Sequence, residues 1–325
     1  MFFEKCKNQP TIVYANTVAK ATAIKRWFSR KGISATLYHS RFIEKDKKRK
    51  ENILLENLGV DAWKNNQANG IAILTQIGEI SVNISADFMI SEICPIDRLV
   101  QRVGRLARFG ENIGELEILV PMKDGKIYPA PYGSFSRHTG WSPSPALQRT
   151  LEEIQTRTYS ASDFVSLVNS VYSEGFTFSS RAINNARKLE EHFVTNWLIL
   201  PAEEIEEDAE ETTHWKARDI DAQITVFVQT PEGYFKNYME FQEFRNEYGV
   251  PIQYYLVEAG IKNGSLSIHN VAIRDDERTT VVANPAAYSF EEGLQIDYNF
   301  RKPVLLNYPQ AKPLSNQLRL RSRFA

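Results

Sequence analysis

Gln101, Arg105 and Arg108 in the run QRVGRLARFG (101–110) stand at i, i+4 and i+7. On a helix of about 3.6 residues per turn these three side chains leave one face within about 40°, and Arg102 points about 100° away. Two guanidiniums and an amide in a row match a polyphosphate. Arginine offers forked donors to phosphate oxygens and stabilises charge that develops on a phosphoryl group in transfer. Gly104 leaves room for another backbone. A lone RxxR reads most simply as a solvated basic helix, whereas the longer QRxGRxxR pattern after a strand is far narrower.

Such a row needs a scaffold, and residues 10–120 supply one. Short apolar runs alternate with longer helical patterns, as in a parallel sheet with crossover helices. The runs predict strands at 11–15, 35–38, 71–75, 88–91 and 115–120, with helices at 17–30, 42–57 and 96–108. Asn16 or Thr17 is placed to cap the first helix and Gly32 to end it. Ligands of open α/β sheets gather at the carboxyl ends of strands, where the arginine run begins.

After Pro121 the run DGKIYPAPYGSFSRHTGWSPSPA is rich in Gly, Pro and Ser and reads as a long connecting loop. Helical patterns return at 146–156, 162–173 and 180–200. Seven acids between Glu203 and Glu211 then repel one another and read as an exposed linker. From Asp219 onward, runs such as QITVFVQT, PIQYYLVEA and TTVVANP predict a smaller β-rich terminal domain. The expected division is 1–124, 125–215 and 216–325.

The chain of 325 residues is 42% hydrophobic and 24% charged, the composition of an ordinary globular protein of two or three domains. No stretch approaches the roughly 20 apolar residues of a membrane helix, and MFFEKCKNQP lacks a signal-peptide core, so no membrane partner and a cytoplasmic location are expected. Cys6 and Cys94 have neither a disulfide framework nor a metal-ligand spacing. The net charge of −1 divides into +5 over residues 1–125 and −6 over residues 126–325. A basic front is compatible with a phosphate-bearing partner.

QRVGRLARFG resembles the sixth signature motif of superfamily-2 helicases, and LTQIGEISVNISADFMISEICPIDRLVQR resembles the fifth motif with its connecting strand. The set Thr75, Gln76, Glu79, Ser81 and Asp87, the PIDRLVQR run and the upstream LYHSRF are similar to the helicase of type I CRISPR interference systems. VVANPAAYSFEEGL (281–294) resembles an element of that family's terminal domain. The resemblance implies an α/β fold: a second RecA-like domain followed by a helical linker and a smaller β-rich C-terminal domain. It implies that Gln101, Arg105 and Arg108 face the β and γ phosphates of ATP across an interdomain cleft, with Glu79 at the nucleotide and Gln76, Glu79 and Ser81 coupling nucleotide state to DNA contact. It places Asn16, Thr17, His39, Ser40, Arg41, Thr75 and Gln76 toward the backbone of single-stranded DNA, where neutral donors position a strand without reading it. Where the family usually has Asp, this chain has Asn83.

A phosphate loop, G-x-x-x-x-G-K-[ST], and an acidic pair for Mg²⁺ are both missing from the sequence. The expectation is therefore the C-terminal part of an ATP-dependent translocase. The helicase is either split into two polypeptides or this chain is a piece of a longer one; a first RecA-like lobe, with a nuclease, supplies most of the Mg²⁺ ligation, and the whole works with the CRISPR interference complex. Alone, this chain is expected to be inactive, with no metal site. The alternative is a non-catalytic module that binds single-stranded DNA or docks on that complex. Solvated or core roles are the plainer readings of KDKKRK (45–50), of the aromatics in VPIQYYLVEAG and FKNYMEFQEF, and of the basic terminus RLRSRFA.

Overall fold

The structure is a computed structural model describing residues 2–109, 113–123, 125–136, 138–175, 180–192, 223–274 and 277–296. The acidic run 203–211 and the terminal RLRSRFA lie outside the described residues. The described residues up to Ser173 and from Ile224 onward form one compact unit. A second unit is described through an amphipathic helix at Ser180–His192.

Helix α1 (Phe2–Asn8) precedes β1 (Thr11–Tyr14), α2 (Val18–Arg30), β2 (Thr36–Tyr38), α3 (Glu44–Leu58), α4 (Val60–Lys64), β3 (Ile71–Leu74), β4 (Phe88–Glu92), α5 (Ile96–Val103) and β5 (Glu115–Leu119). The five strands are parallel, in the order β2-β3-β1-β4-β5. Both faces are covered, so the strands read as almost unbroken apolar runs. Ile12, Tyr14, Ala72, Leu74 and Met89 enter one core, while Val13, Ala15, Ile71, Ile73, Phe88 and Ile90 enter the other. Thr17 caps α2 by accepting from the Lys20 amide, and Gly32 takes the left-handed conformation just beyond its end. From β1 the chain crosses toward β2 and from β4 toward β5, so the adjacent strands β1 and β4 flank a topological switch point.

The helix expected over 96–108 stops at Val103. Beyond it, Arg105 O accepts from the Ala86 amide and the Ala107 amide donates to Ala86 O, making a parallel bridge between Leu106 and Ala86. Pairing with the segment that leads into β4 displaces the next helical turn. Ala107 adopts a positive φ of 51°, and the Arg108 amide donates to Ser85 Oγ. Leu106 fills the space beside Gly114, where an added Cβ would lie 2.3 Å from Leu106 Cγ.

The expected loop after Pro121 is two antiparallel hairpins, β6 (Met122–Lys123) with β7 (Lys126–Ile127) and β8 (Gly133–Ser136) with β9 (Gly140–Pro143). Gly125 and Gly140 supply the positive φ that their turns require. Helices α6 (Pro145–Glu153) and α7 (Ala161–Val171) follow, each capped by a serine, Ser144 and Ser160. Then come α8 (Ser180–His192), β10 (Gln223–Phe227), β11 (Tyr234–Phe235), α9 (Tyr238–Tyr248), β12 (Gly249–Gln253), α10 (Tyr254–Lys262), β13 (Ser267–Ile273), β14 (Glu277–Ala283), β15 (Tyr288–Ser289) and β16 (Gly293–Leu294). Strands β10 to β14 make a mixed sheet in the order β11-β13-β14-β10-β12. PIQYYLVEA, expected as strand, is strand only to Gln253. From Tyr254 it is α10, because Leu256, Val257 and Gly260 recur at helical spacing and are buried together. FKNYMEFQEF is largely α9, capped by Asn237, and its Phe241 and Phe244 pack tilted or edge-on against Phe227 and Phe235 as core. Among the described residues no helix is long and apolar enough to cross a membrane.

The β15–β16 hairpin is latched onto the loop after β2. The Leu294 amide donates to Arg41 O at 2.8 Å, Tyr288 OH donates to Asp46 Oδ2 at 2.6 Å, and Arg26 makes a forked pair with Glu292. Gly293 has φ +68°, and a Cβ there would come within 2.7 Å of both Arg41 O and His39 Cε1. Gly293→Ala is expected to cost about 1–3 kcal/mol of stability, read as a lower urea midpoint; an unchanged midpoint would mean that the hairpin seats itself without this contact.

Candidate functional site

At the switch point the carboxyl ends of β1, β3 and β4 hold a buried polar cluster centred on Arg102. Its guanidinium donates from Nε to Glu79 Oε1 at 2.8 Å, from one terminal nitrogen to Ser91 Oγ and Glu92 O at 2.9 and 3.0 Å, and from the other to Asn16 Oδ1 and Tyr132 OH at 3.0 and 3.3 Å. A guanidinium has five N–H donors, and five acceptors meet them. Arg102 is fully buried, and its plane also lies over the Tyr14 ring, 5.0 Å from the centroid.

The cluster continues outward from Asn16. The Asn16 amide N–H donates to Glu92 Oε2 at 2.6 Å, its side-chain Nδ2 to Ile93 O at 2.7 Å, and its carbonyl accepts from Gln76 Nε2 at 2.7 Å. The other oxygen of Glu92 pairs with Lys20 Nζ at 2.8 Å, with both side chains buried. Arg98 approaches the remaining oxygen of Glu79 at 3.8 Å. Each strand end is thus tied to its neighbours through charge-assisted bonds in a low-dielectric interior, which fixes the loops that leave the sheet.

These bonds place the residues expected from the sequence. Asn16, Thr75 and Glu79 are buried, and the Asn16 and Glu79 side chains bond within the protein. Thr17 spends its hydroxyl on the helix cap, and Gln76 bridges to Asn16 from a half-buried position. Ser40 is exposed and Arg41 half-buried. Ser81 is exposed and donates to Ile77 O at 2.8 Å, and Asn83 is exposed. Gln101, Arg105 and Arg108 do not share one helical face, because α5 ends before Arg105. Gln101 and Arg108 are exposed on either side of the bridge, and Arg105 is 6% exposed with no hydrogen-bond partner at Nε.

The residue that sequence reasoning passed over is Arg102, set aside as pointing away from the row. Its position beside Leu99 on α5, with Ile96, Leu99 and Val103 all buried, was a usable signal, since a charged residue at the edge of a buried stripe needs a buried partner. Glu79 and Asn16 are those partners. Cys94 lies close by, and burial pushes its thiol up to about 12, so it stays protonated at neutral pH.

His39 is fully buried and stacked on Phe42, with ring centroids 4.4 Å apart. Its Nδ1 accepts from the Arg41 amide, so Nε2 carries the proton and donates to Glu292 O at 3.1 Å. Burial, and then the Arg41 charge, pull its pKa down to about 3 from an ordinary 6.5. The folded protein holds neutral imidazole while the unfolded chain takes up a proton below about 6.5. The stability this neutral ring contributes is therefore complete above pH 6.5 and is lost as pH falls from there toward 3. Hydrogen exchange at the Leu294 amide is expected to accelerate over that window relative to amides of β1, and His39→Gln should flatten the difference.

Among the described residues no group of three or more His, Cys, Asp or Glu is arranged to hold a metal ion. The fit to an anion is better: an orphaned buried guanidinium N–H at Arg105 lies in the same short run as exposed Gln101 and Arg108.

The family model described as CRISPR-associated nuclease/helicase Cas3, C-terminal, matches residues 7–111, which hold β1 to β4 of the parallel sheet and the switch-point residues from Asn16 to Arg102. Over 103 residues the chain is 35% identical to the CRISPR-associated endonuclease/helicase Cas3 of Escherichia coli (strain K12), covering 30% of this chain and 11% of that protein. Over 98 residues it is 39% identical to the CRISPR-associated nuclease/helicase Cas3 of Streptococcus thermophilus, covering 30% of this chain and 10% of that protein. The matched stretch thus spans about a tenth of the length of these curated relatives. A solved structure described as a CRISPR-associated protein shares the fold over 80% of this chain and 34% of its own, with TM-score 0.53 and 18% identity. Through residues 7–111 the chain is similar to the C-terminal region of CRISPR-associated nuclease/helicase Cas3.

Proposed function

We propose that this chain is the second motor lobe and C-terminal domain of an ATP-dependent translocase that moves along single-stranded DNA in type I CRISPR interference. The observation that carries this reading is Arg105. It is a buried arginine whose Nε lacks a partner, beside exposed Gln101 and Arg108, on the segment that leaves the switch point of a parallel sheet. A buried donor left unpaired in the free chain suits an acceptor that arrives from outside, and a polyphosphate supplies oxygens of the right charge.

In this proposal the chain divides into 1–124, 125–215 and 216–325. Gln101, Arg105 and Arg108 hold the β and γ phosphates of ATP, and Arg108 stabilises charge developing on the transferred phosphoryl group. Glu79 acts through Arg102 and Asn16 rather than by touching nucleotide, so that the segment from Thr75 to Ser81 moves with the strand ends. Thr17, Ser40, Arg41 and Thr75 lie in the loops that meet the DNA backbone. In those loops Asn16, Gln76 and His39 hold the geometry from within. The phosphate loop and the acidic residues that hold Mg²⁺ belong to the first RecA-like lobe, which completes the ATP site and is accompanied by a nuclease, and the assembly engages the interference complex. ATP supplies the free energy; these residues bind and orient it.

The test is ATP hydrolysis with and without single-stranded DNA, by this chain, by a polypeptide carrying the phosphate loop, and by the two mixed. DNA-stimulated hydrolysis in the mixture alone supports a shared ATP site. A mixture no more active than the first-lobe polypeptide favours the accessory module that binds DNA or docks without catalysis.

A further inference from the structure

The β8–β9 hairpin presents aromatic surface that the core does not use. Phe135 and Trp141 sit directly opposite each other across it, with ring centroids 5.6 Å apart, and Phe135 is 62% exposed. Tyr128, next to β7, adds a third ring 5.6 Å from Trp141, and Lys20 Nζ lies 5.0 Å from the Tyr128 centroid. A cross-strand aromatic pair steadies a hairpin, yet that role gains nothing from leaving Phe135 mostly in water.

Two further features say what covers this face. On the adjoining hairpin, exposed Lys123 and Lys126 stand opposite each other, a like-charge pairing that disfavours the free hairpin and is relieved by an anion. The base of the aromatic hairpin is also fixed to the switch-point cluster. Tyr132 OH accepts from Arg102 at 3.3 Å, the Tyr132 carbonyl accepts from the Ser144 amide at 2.9 Å, and Gly133 passes so close to Ser142 that a Cβ would lie 2.2 Å from its carbonyl oxygen. The rings are thereby held in register with the strand ends that carry the proposed DNA loops.

We propose that Phe135, Trp141 and Tyr128 form a stacking platform for unpaired bases of single-stranded DNA, with Lys123 and Lys126 holding the phosphates beside it. This inference rests on the single-stranded DNA reading above and names where, on this chain, the bases rather than the backbone are held. Stacking is indifferent to base identity because every base has a π-face, so the platform grips a moving strand without reading it.

The experiment titrates the full chain with a labelled 15-residue oligothymidylate and with an abasic 15-mer of the same phosphate count, by fluorescence anisotropy. Wild type is expected to prefer the oligothymidylate. Phe135→Ala should erase roughly 5- to 150-fold of that preference in Kd, the range of one lost base stack, and leave abasic binding unchanged. Phe135→Trp should keep it. Lys123→Gln with Lys126→Gln should weaken both oligomers and lower the salt slope by about 0.7 per lysine. Equal wild-type binding of the two oligomers, or a preference that survives Phe135→Ala, overturns the platform and leaves backbone binding standing. Binding of neither oligomer overturns the platform and the single-stranded DNA reading together. Loss of self-association in sedimentation, with base preference intact in Phe135→Ala, assigns the face to a protein contact and overturns the platform.

Discussion

Arg108→Ala is expected to lower DNA-stimulated ATP hydrolysis by the assembled two-lobe motor about 10³- to 10⁵-fold, the range an arginine finger contributes to phosphoryl transfer. The effect should fall on kcat, because the guanidinium meets charge that appears in the transition state and is weaker in bound ATP. Folding should be nearly unaffected. Arg108 is exposed, its side chain lies 5.8 Å from the ring of neighbouring Phe109, and the bond that fixes its position uses its backbone amide and Ser85 Oγ. Arg108→Lys should recover little, since an ammonium restores charge without the planar fork. Gln101→Ala removes only a neutral donor and should cost much less. A mutant that hydrolyses ATP at the wild-type rate with DNA present would remove Arg108 from the site and return the chain to the accessory reading.

The parallel sheet was legible because its strands are buried on both faces. TIVY, IAIL and FMISE stand out as apolar runs whatever packs on them, and each expected strand lies within a residue or so of its place. The end of α5 was not legible. Ile96, Leu99, Val103 and Leu106 continue a helical apolar period, and nothing local reveals that Leu106 instead joins a bridge to Ala86. Reading three residues as one helical row was therefore wrong in geometry from Arg105 onward. The two hairpins were hidden because strands of two to four residues sit inside a Gly- and Pro-rich run whose composition is that of a loop. Resemblance drew attention to Asn16, Gln76 and Glu79, and the structure adds that the three belong to one cluster. What ties them together is Arg102, and its partners come from 10 to 86 residues away, a distance that periodicity does not see.

Arg102→Met is expected to destabilise the parallel-sheet domain by about 3–5 kcal/mol, the cost of breaking a buried pair by removing one partner. The physical reason lies less in the bonds lost than in what they leave behind. Glu79 would keep its carboxyl group at 0% side-chain exposure with the Arg98 guanidinium 3.8 Å away and partly in water. Asn16 Oδ1 and Ser91 Oγ would lose their guanidinium donor in the same interior. Arg102→Lys should rescue only part of this, because three ammonium donors on one atom cannot reach five acceptors spread over three strand ends and a hairpin. Charge and volume are separable here: Arg102→Met with Glu79→Met removes both ions, and the double variant should be more stable than the sum of the single effects predicts. Urea melts of the four proteins give the coupling energy. A coupling near zero would mean that the pair is screened or rearranged, and the strand ends would then be held by the Asn16 and Glu92 bonds alone. A large coupling would make Arg102 the link through which the loops after β1, β3 and β4, and with them Tyr132 at the foot of the aromatic hairpin, respond as one body.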